Sequence, residues 1–191
     1  MSERAIFMDR DGTVCEEVGY VNHPTRCRLL SRSAEAVRRI NGSDFRAIVV
    51  TNQAGVARGY FDEEMIHEVH RRLRNLLEEQ GARLDGIYYC PHHPEVGPPP
   101  YRRECDCRKP EPGMLRRAAA DLGLDLSRCY MIGDSAKDME AASRAEAAGV
   151  LVMTGYGKGE WEYRRDRFRS EPAHVAEDLL DAVEWILATS R

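Results

Sequence analysis

Lysine is nearly missing from this chain. Only Lys109, Lys137 and Lys158 occur among its 28 basic residues, and arginine supplies the other 25. Basic excess is missing too, because the net charge of the 191 residues is −4. That excludes the broad positive field of a nucleic-acid binder. Aromatics make up only 7% and form no aromatic–basic stripe on one element, so a single-stranded nucleic-acid platform is not expected. Apolar runs such as Ala47 to Val50 are far too short to span a bilayer. No leader-like pattern precedes the apolar run at Ala5, and a cytoplasmic protein is the expectation. Nothing calls for more than a monomer. The length fits one domain over 1–191.

Strand-like runs alternate with helical spacing. Ala5 to Met8, Phe45 to Thr51, Gly86 to Cys90, Cys129 to Ile132 and Gly149 to Met153 read as five buried strands. Helices are expected from Ser33 to Ile40, from an Asp62 cap toward Gly81, over Gly113 to Leu122, near Lys137 to Ala148, and over Ala176 to Ala188. This alternation predicts an α/β fold with a doubly wound, Rossmann-like parallel sheet covered on both faces. The tract Trp161 to Arg169 has no period and reads as a solvated loop.

In such a sheet, ligands bind beyond the carboxyl ends of the strands. Those ends carry Asp9-Arg10-Asp11-Gly12-Thr13, Thr51-Asn52-Gln53 and Gly133-Asp134-Ser135-Ala136-Lys137-Asp138, and Arg108-Lys109-Pro110 lies in the loop before the Gly113 helix. A lone Asp-x-Asp is more often a turn, and Thr at a strand end is more often a cap. All four together, in chain order at separate strand ends, point to chemistry. Close carboxylates repel unless a cation lies between them, and a hard dication such as Mg²⁺ takes oxygen ligands. An oriented, ionised Asp9 can attack phosphorus, while Asp11 can protonate the leaving oxygen and then deprotonate water. Thr51 and Lys109 suit the phosphoryl oxygens, and Gly12 permits a tight turn at the phosphate.

The order Asp-x-Asp-Gly-Thr, Thr-Asn, Lys, Gly-Asp-x-x-x-Asp resembles the haloacid dehalogenase superfamily of phosphohydrolases, over roughly residues 5–155. The resemblance implies Asp9 as nucleophile, Asp11 as general acid/base, and Thr51 and Lys109 as phosphoryl ligands. It also implies Mg²⁺ on the Asp9 side chain, the Asp11 carbonyl and Asp134, with Asp138 outside direct ligation. A large mobile cap is not expected, since the inserts at Cys15–Leu30 and Pro91–Pro110 are small.

Three of the six cysteines cluster. Cys90-Pro91-His92 and Cys105-Asp106-Cys107 form two close pairs inside a Pro-rich stretch. Three thiolates and one imidazole make a closed tetrahedral set suited to structural Zn²⁺ on a 90–110 insert. The two-residue step from Cys90 favours His92 over His93. Together with Gly19-Tyr20-Val21, Thr51-Asn52-Gln53-Ala54-Gly55 and Cys105 to Pro110, the insert resembles the heptose-bisphosphate phosphatase branch of the superfamily. Histidinol-phosphate phosphatase is the alternative, and a non-catalytic zinc- or phosphate-binding module is a remoter one. The implied substrate is a small phosphorylated sugar. Gly19, Tyr20, Asn52, Gln53, Arg58 and Arg108 are the candidates for contacting it. Arg58 suits either a remote phosphate or a surface charge.

Overall fold

The computed structural model describes residues 3–190. Six parallel strands form one sheet in the order β3-β2-β1-β4-β5-β6. They are β1 (Arg4–Met8), β2 (Phe45–Asn52), β3 (Gly86–Cys90), β4 (Tyr130–Gly133), β5 (Ala148–Val152) and β6 (His174–Ala176). Six helices cover the sheet: α1 (Ser33–Asn41), α2 (Glu63–Glu78), α3 (Gly113–Leu122), α4 (Ala136–Arg144), α5 (Gly157–Tyr163) and α6 (Leu179–Thr189).

The two faces follow from the period-two alternation of strand side chains. Ile6 and Met8 of β1 join Ala47 and Val49 of β2 in one apolar cluster, packed against α1, α2 and α6. Ala5 and Phe7 join Ile48 and Val50 in the other, packed against α3 and α4. Both faces are therefore buried, as an all-parallel sheet requires. From β1 the chain winds outward through β2 to β3, then returns to the other side for β4 to β6. The switch point lies between β1 and β4, where the Asp9 N–H bonds the Ile132 carbonyl at 2.9 Å.

Four expectations need correction. A sixth strand exists, because His174–Ala176 pairs with Val150–Val152. The last helix therefore starts at Leu179, capped by Asp178 accepting from the Asp181 N–H, and not at Ala176. The helix α4 stops at Arg144, and Glu146 turns left-handed (φ 63°) before β5 begins. The tract from Trp161 to Arg169 is folded as well: α5 runs through Tyr163 and a 3₁₀ turn covers Arg165–Arg167. There the Arg165 guanidinium lies 3.3 Å over the Trp161 ring, and Trp161 meets Phe168 edge-on. These contacts have no period, so no amphipathic pattern announces them. Among the described residues, no helix is long and apolar enough to cross a membrane.

Candidate active site

At the carboxyl ends of the strands a cleft of about 460 Å³ is lined by Asp9, Asp11, Thr51, Lys109, Asp134 and Asp138, with Gly19, Tyr20 and Arg108 among the residues around them. Lys109 is its buried cation. Its Nζ lies 2.9 Å from Asp9 Oδ1 and 2.7 Å from Asp138 Oδ1, and it donates to the Val50 carbonyl at 3.1 Å. Burial works against the ammonium charge, but the carboxylates of Asp138 and Asp9 outweigh it and hold the lysine pKa above its ordinary value.

Asp138 is held from its other side. Its Oδ2 accepts from the Ser135 N–H at 3.1 Å and hydroxyl at 2.6 Å, the reciprocal cap of α4. Asp134 is wedged between two loops. A Cβ on either Gly12 or Gly155 would come within 2.0 Å of Asp134 Oδ2, and both glycines have positive φ. The same oxygen accepts from the Tyr156 N–H at 2.8 Å.

Carboxylate oxygens of Asp9, Asp134 and Asp138 lie within 4.8 Å of one another. With one lysine among three carboxylates, burial and mutual repulsion push Asp9 up to about 7 and Asp134 up to about 9. Such a set is short of positive charge. Hard oxygen donors around a glycine-walled gap fit a small divalent cation such as magnesium.

Asp11 faces a different environment. Arg10, fully buried, forms a two-pronged contact with it: Nε to Oδ1 at 3.0 Å and Nη2 to Oδ2 at 2.8 Å. Gln53 Nε2 donates to Asp11 Oδ2 and to Thr51 Oγ1, both at 2.9 Å.

The second cluster lies beyond β3. Sγ of Cys107 is 3.1 Å from Cys90, 3.4 Å from Cys105 and 3.4 Å from His92 Nδ1. Cys90 Sγ is 3.6 Å from both Cys105 Sγ and His92 Nδ1. A tetrahedron with metal–sulfur bonds of ~2.3 Å has edges of about 3.8 Å. The four ligand atoms are thus spaced almost as a tetrahedral shell requires. His93 is turned away: its Nδ1 accepts from the backbone N–H groups of Glu95 and Val96.

A family model described as HAD-hydrolase-like matches residues 106–182. The D-glycero-D-manno-heptose-1,7-bisphosphate 7-phosphatase of Thermosynechococcus vestitus is 41% identical over 97% of this chain and 96% of its own. The D-glycero-beta-D-manno-heptose-1,7-bisphosphate 7-phosphatase of Haemophilus ducreyi is also 41% identical, over 97% of this chain and all of its own. The crystal structure of D,D-heptose 1,7-bisphosphate phosphatase from B. bronchiseptica, complexed with magnesium and phosphate, superposes with a TM-score of 0.84 at 34% identity. It covers 97% of this chain and 98% of that one. The chain belongs to the heptose-bisphosphate phosphatase family of haloacid dehalogenase-like hydrolases.

As a heptose-bisphosphate phosphatase family member, the chain brings most of its sequence-nominated residues to one cleft. Gly19 and Tyr20 lie at its wall, with Arg108 at the border of a neighbouring cavity against the Cys-rich insert. Three candidates for substrate contact stand elsewhere or are already engaged. Gln53 is buried beneath Asp11 and Thr51 and does not line the cleft. Asn52 reaches the cleft wall, but its amide is bonded to the backbone of Lys109. Arg58 lies outside the cleft, beside Gly97 and Pro98, with Nη2 3.4 Å from His93 Nε2.

Sequence reasoning missed Tyr156, Glu160 and Arg167, which also line the cleft. Glu160 accepts from the Ala136 N–H at 2.8 Å and pairs with Arg167 at 3.5 Å. The only signal was for Arg167, in the arginine density of the Trp161–Arg169 tract, and it could not be assigned to a location without the fold.

Proposed function

We propose that this chain is a magnesium-dependent phosphatase that removes the C7 phosphate of D-glycero-D-manno-heptose 1,7-bisphosphate through an aspartyl-phosphate on Asp9. The observation that carries the reading is the pairing of Asp9 with Lys109 at 2.9 Å in a cleft that also holds Asp11 and Asp134. Asp9 Oδ attacks phosphorus, the bond from phosphorus to the C7 oxygen breaks, and the electron pair leaves with that oxygen. Asp11 gives the leaving oxygen its proton, then takes one from the water that opens the aspartyl-phosphate. The Thr51 hydroxyl and the Lys109 ammonium hold the phosphoryl oxygens as charge develops on them. Magnesium, held by Asp9, Asp134 and the Asp11 carbonyl, would keep the carboxylates ionised and neutralise phosphoryl charge.

Zinc on Cys90, His92, Cys105 and Cys107 is the structural half of the proposal. It stiffens the 90–110 insert of a single 1–191 domain and so steadies Arg108 and Lys109, which directly follow the last ligand. Arg108 donates one guanidinium N–H to the His92 carbonyl at 3.1 Å. With Lys137 it lines both the cleft and the neighbouring cavity, where the remote phosphate has room. The reading takes the enzyme as a cytoplasmic monomer acting on a small sugar phosphate.

Phosphate release from heptose 1,7-bisphosphate, hexose bisphosphates, simple monophosphates and histidinol phosphate tests the reading. The heptose bisphosphate should exceed monophosphates in kcat/KM by at least about tenfold, ~1.4 kcal/mol of transition-state binding. Arg108→Ala should shrink that preference. Equal kcat/KM on the bisphosphate and on histidinol phosphate would overturn the assignment.

A further inference from the structure

Arg10 is the largest fully buried polar side chain, yet the steps above give it no part. Two edges of its guanidinium grip Asp11. Its remaining nitrogen, Nη1, lies 3.3 Å from Nε2 of His70. A guanidinium has donors only, so His70 Nε2 must accept and the ring proton must sit on Nδ1. Burial, followed by the charge of Arg10, pushes this imidazole down to about 3, consistent with a neutral acceptor.

His70 occupies an inward position of α2, between the buried Ile66 and Val69 and the buried Leu73. The apolar spacing of that face would accept an aliphatic side chain there. A nitrogen acceptor is present instead, aimed at the one arginine that holds Asp11. Asp11, Arg10 and His70 thus form a chain of contacts from the cleft to the helix behind the sheet, with Gln53 bracing Asp11 from a second direction.

We propose that His70 is a positioning residue for the general acid. By accepting from Nη1 it fixes the plane of the Arg10 fork, and the fork, which holds both oxygens of the Asp11 carboxyl, fixes where that carboxyl sits in the cleft wall. This rests on the reading of the chain as a phosphatase in which Asp11 supplies that proton. Such a role matters in proportion to the leaving group's need. When the phosphorus–oxygen bond breaks, the electron pair passes to the leaving oxygen. A sugar alkoxide requires the Asp11 proton, whereas p-nitrophenolate is stable without it.

The test compares kcat for heptose 1,7-bisphosphate with kcat for p-nitrophenyl phosphate, in the magnesium-loaded full chain. In His70→Leu the ratio of the two should fall about tenfold, part of the ~10²–10⁴ that a general acid contributes. His70→Gln, which keeps an acceptor near the Nε2 position, should restore the ratio to within about threefold of wild type. Should His70→Leu fail to fold by circular dichroism, His70→Asn, whose amide is too short to reach Nη1, is read in the same way. A ratio that stays at the wild-type value, with both substrates slowed equally or neither slowed, overturns the positioning role while leaving the phosphatase reading intact. A wild-type protein that hydrolysed neither substrate would dispose of both.

Discussion

The side chain of Asn52 is bonded to both backbone groups of Lys109. Asn52 Oδ1 accepts the Lys109 N–H and Nδ2 donates to the Lys109 carbonyl, each at 3.0 Å. The last residue of β2 thereby fastens the exit of the Cys-rich insert to the sheet. It holds the lysine whose ammonium meets Asp9 and Asp138, so an interaction between two distant stretches of chain sets the reach of a catalytic cation.

Asn52→Ala should test that fastening. It leaves the Lys109 backbone without two partners in a partly buried place, a loss of about 1–3 kcal/mol of stability. Urea unfolding reads the stability, and kcat should fall together with it. Unchanged values for both would show that the lysine is held by its ammonium contacts alone.

Asp9→Asn should abolish phosphate release while the fold survives. The amide is nearly isosteric with the carboxylate but is a poor nucleophile. Asp11→Asn should slow turnover of a sugar phosphate by ~10²–10⁴. Near-native release by purified Asp9→Asn would contradict the covalent route, and a melting curve separates loss of chemistry from loss of fold.

Metal analysis of protein prepared without chelators should find one zinc per chain that survives mild chelation. Magnesium should exchange freely. Cys107→Ser should lower the melting temperature and loosen the 90–110 segment in hydrogen exchange. Protein that contained no zinc would refute the tetrahedral reading of the cluster.

The acidic cluster should make magnesium-free stability depend on pH. Asp9 and Asp134 keep protons in the fold, up to about 7 and about 9, that the unfolded chain releases at the ordinary carboxylate value. Their stabilising contribution is complete below that ordinary value of ~4 and is lost as pH rises through the folded values. A divalent cation competes with those protons, so its benefit should grow in the same direction. The rise in melting temperature on adding magnesium should therefore be larger at about pH 8 than at about pH 5. An equal rise at both would mean that these carboxylates do not bind the ion.

The sequence by itself determined the sheet-forming runs, the strand ends that bear Asp9, Thr51 and Asp134, and the Cys/His spacing of the insert. Each is local: alternating burial, a turn glycine or a two-residue ligand step is written in neighbouring residues. Asp9 and Asp11 are legible because an acid two residues from another acid after a buried strand is a short-range pattern. The tertiary structure decided what depends on separation in the chain. Arg10 had no assigned role until the fold placed His70 behind it. Gln53 looked like a cleft residue until its amide met Asp11, and Asn52, which does reach the cleft, spends its amide on the Lys109 backbone. Arg167 reached the cleft through a turn that aromatic contacts hold together. A buried polar side chain takes its role from whichever partner the packing brings within about 3 Å, and hydrophobic periodicity carries no record of that partner.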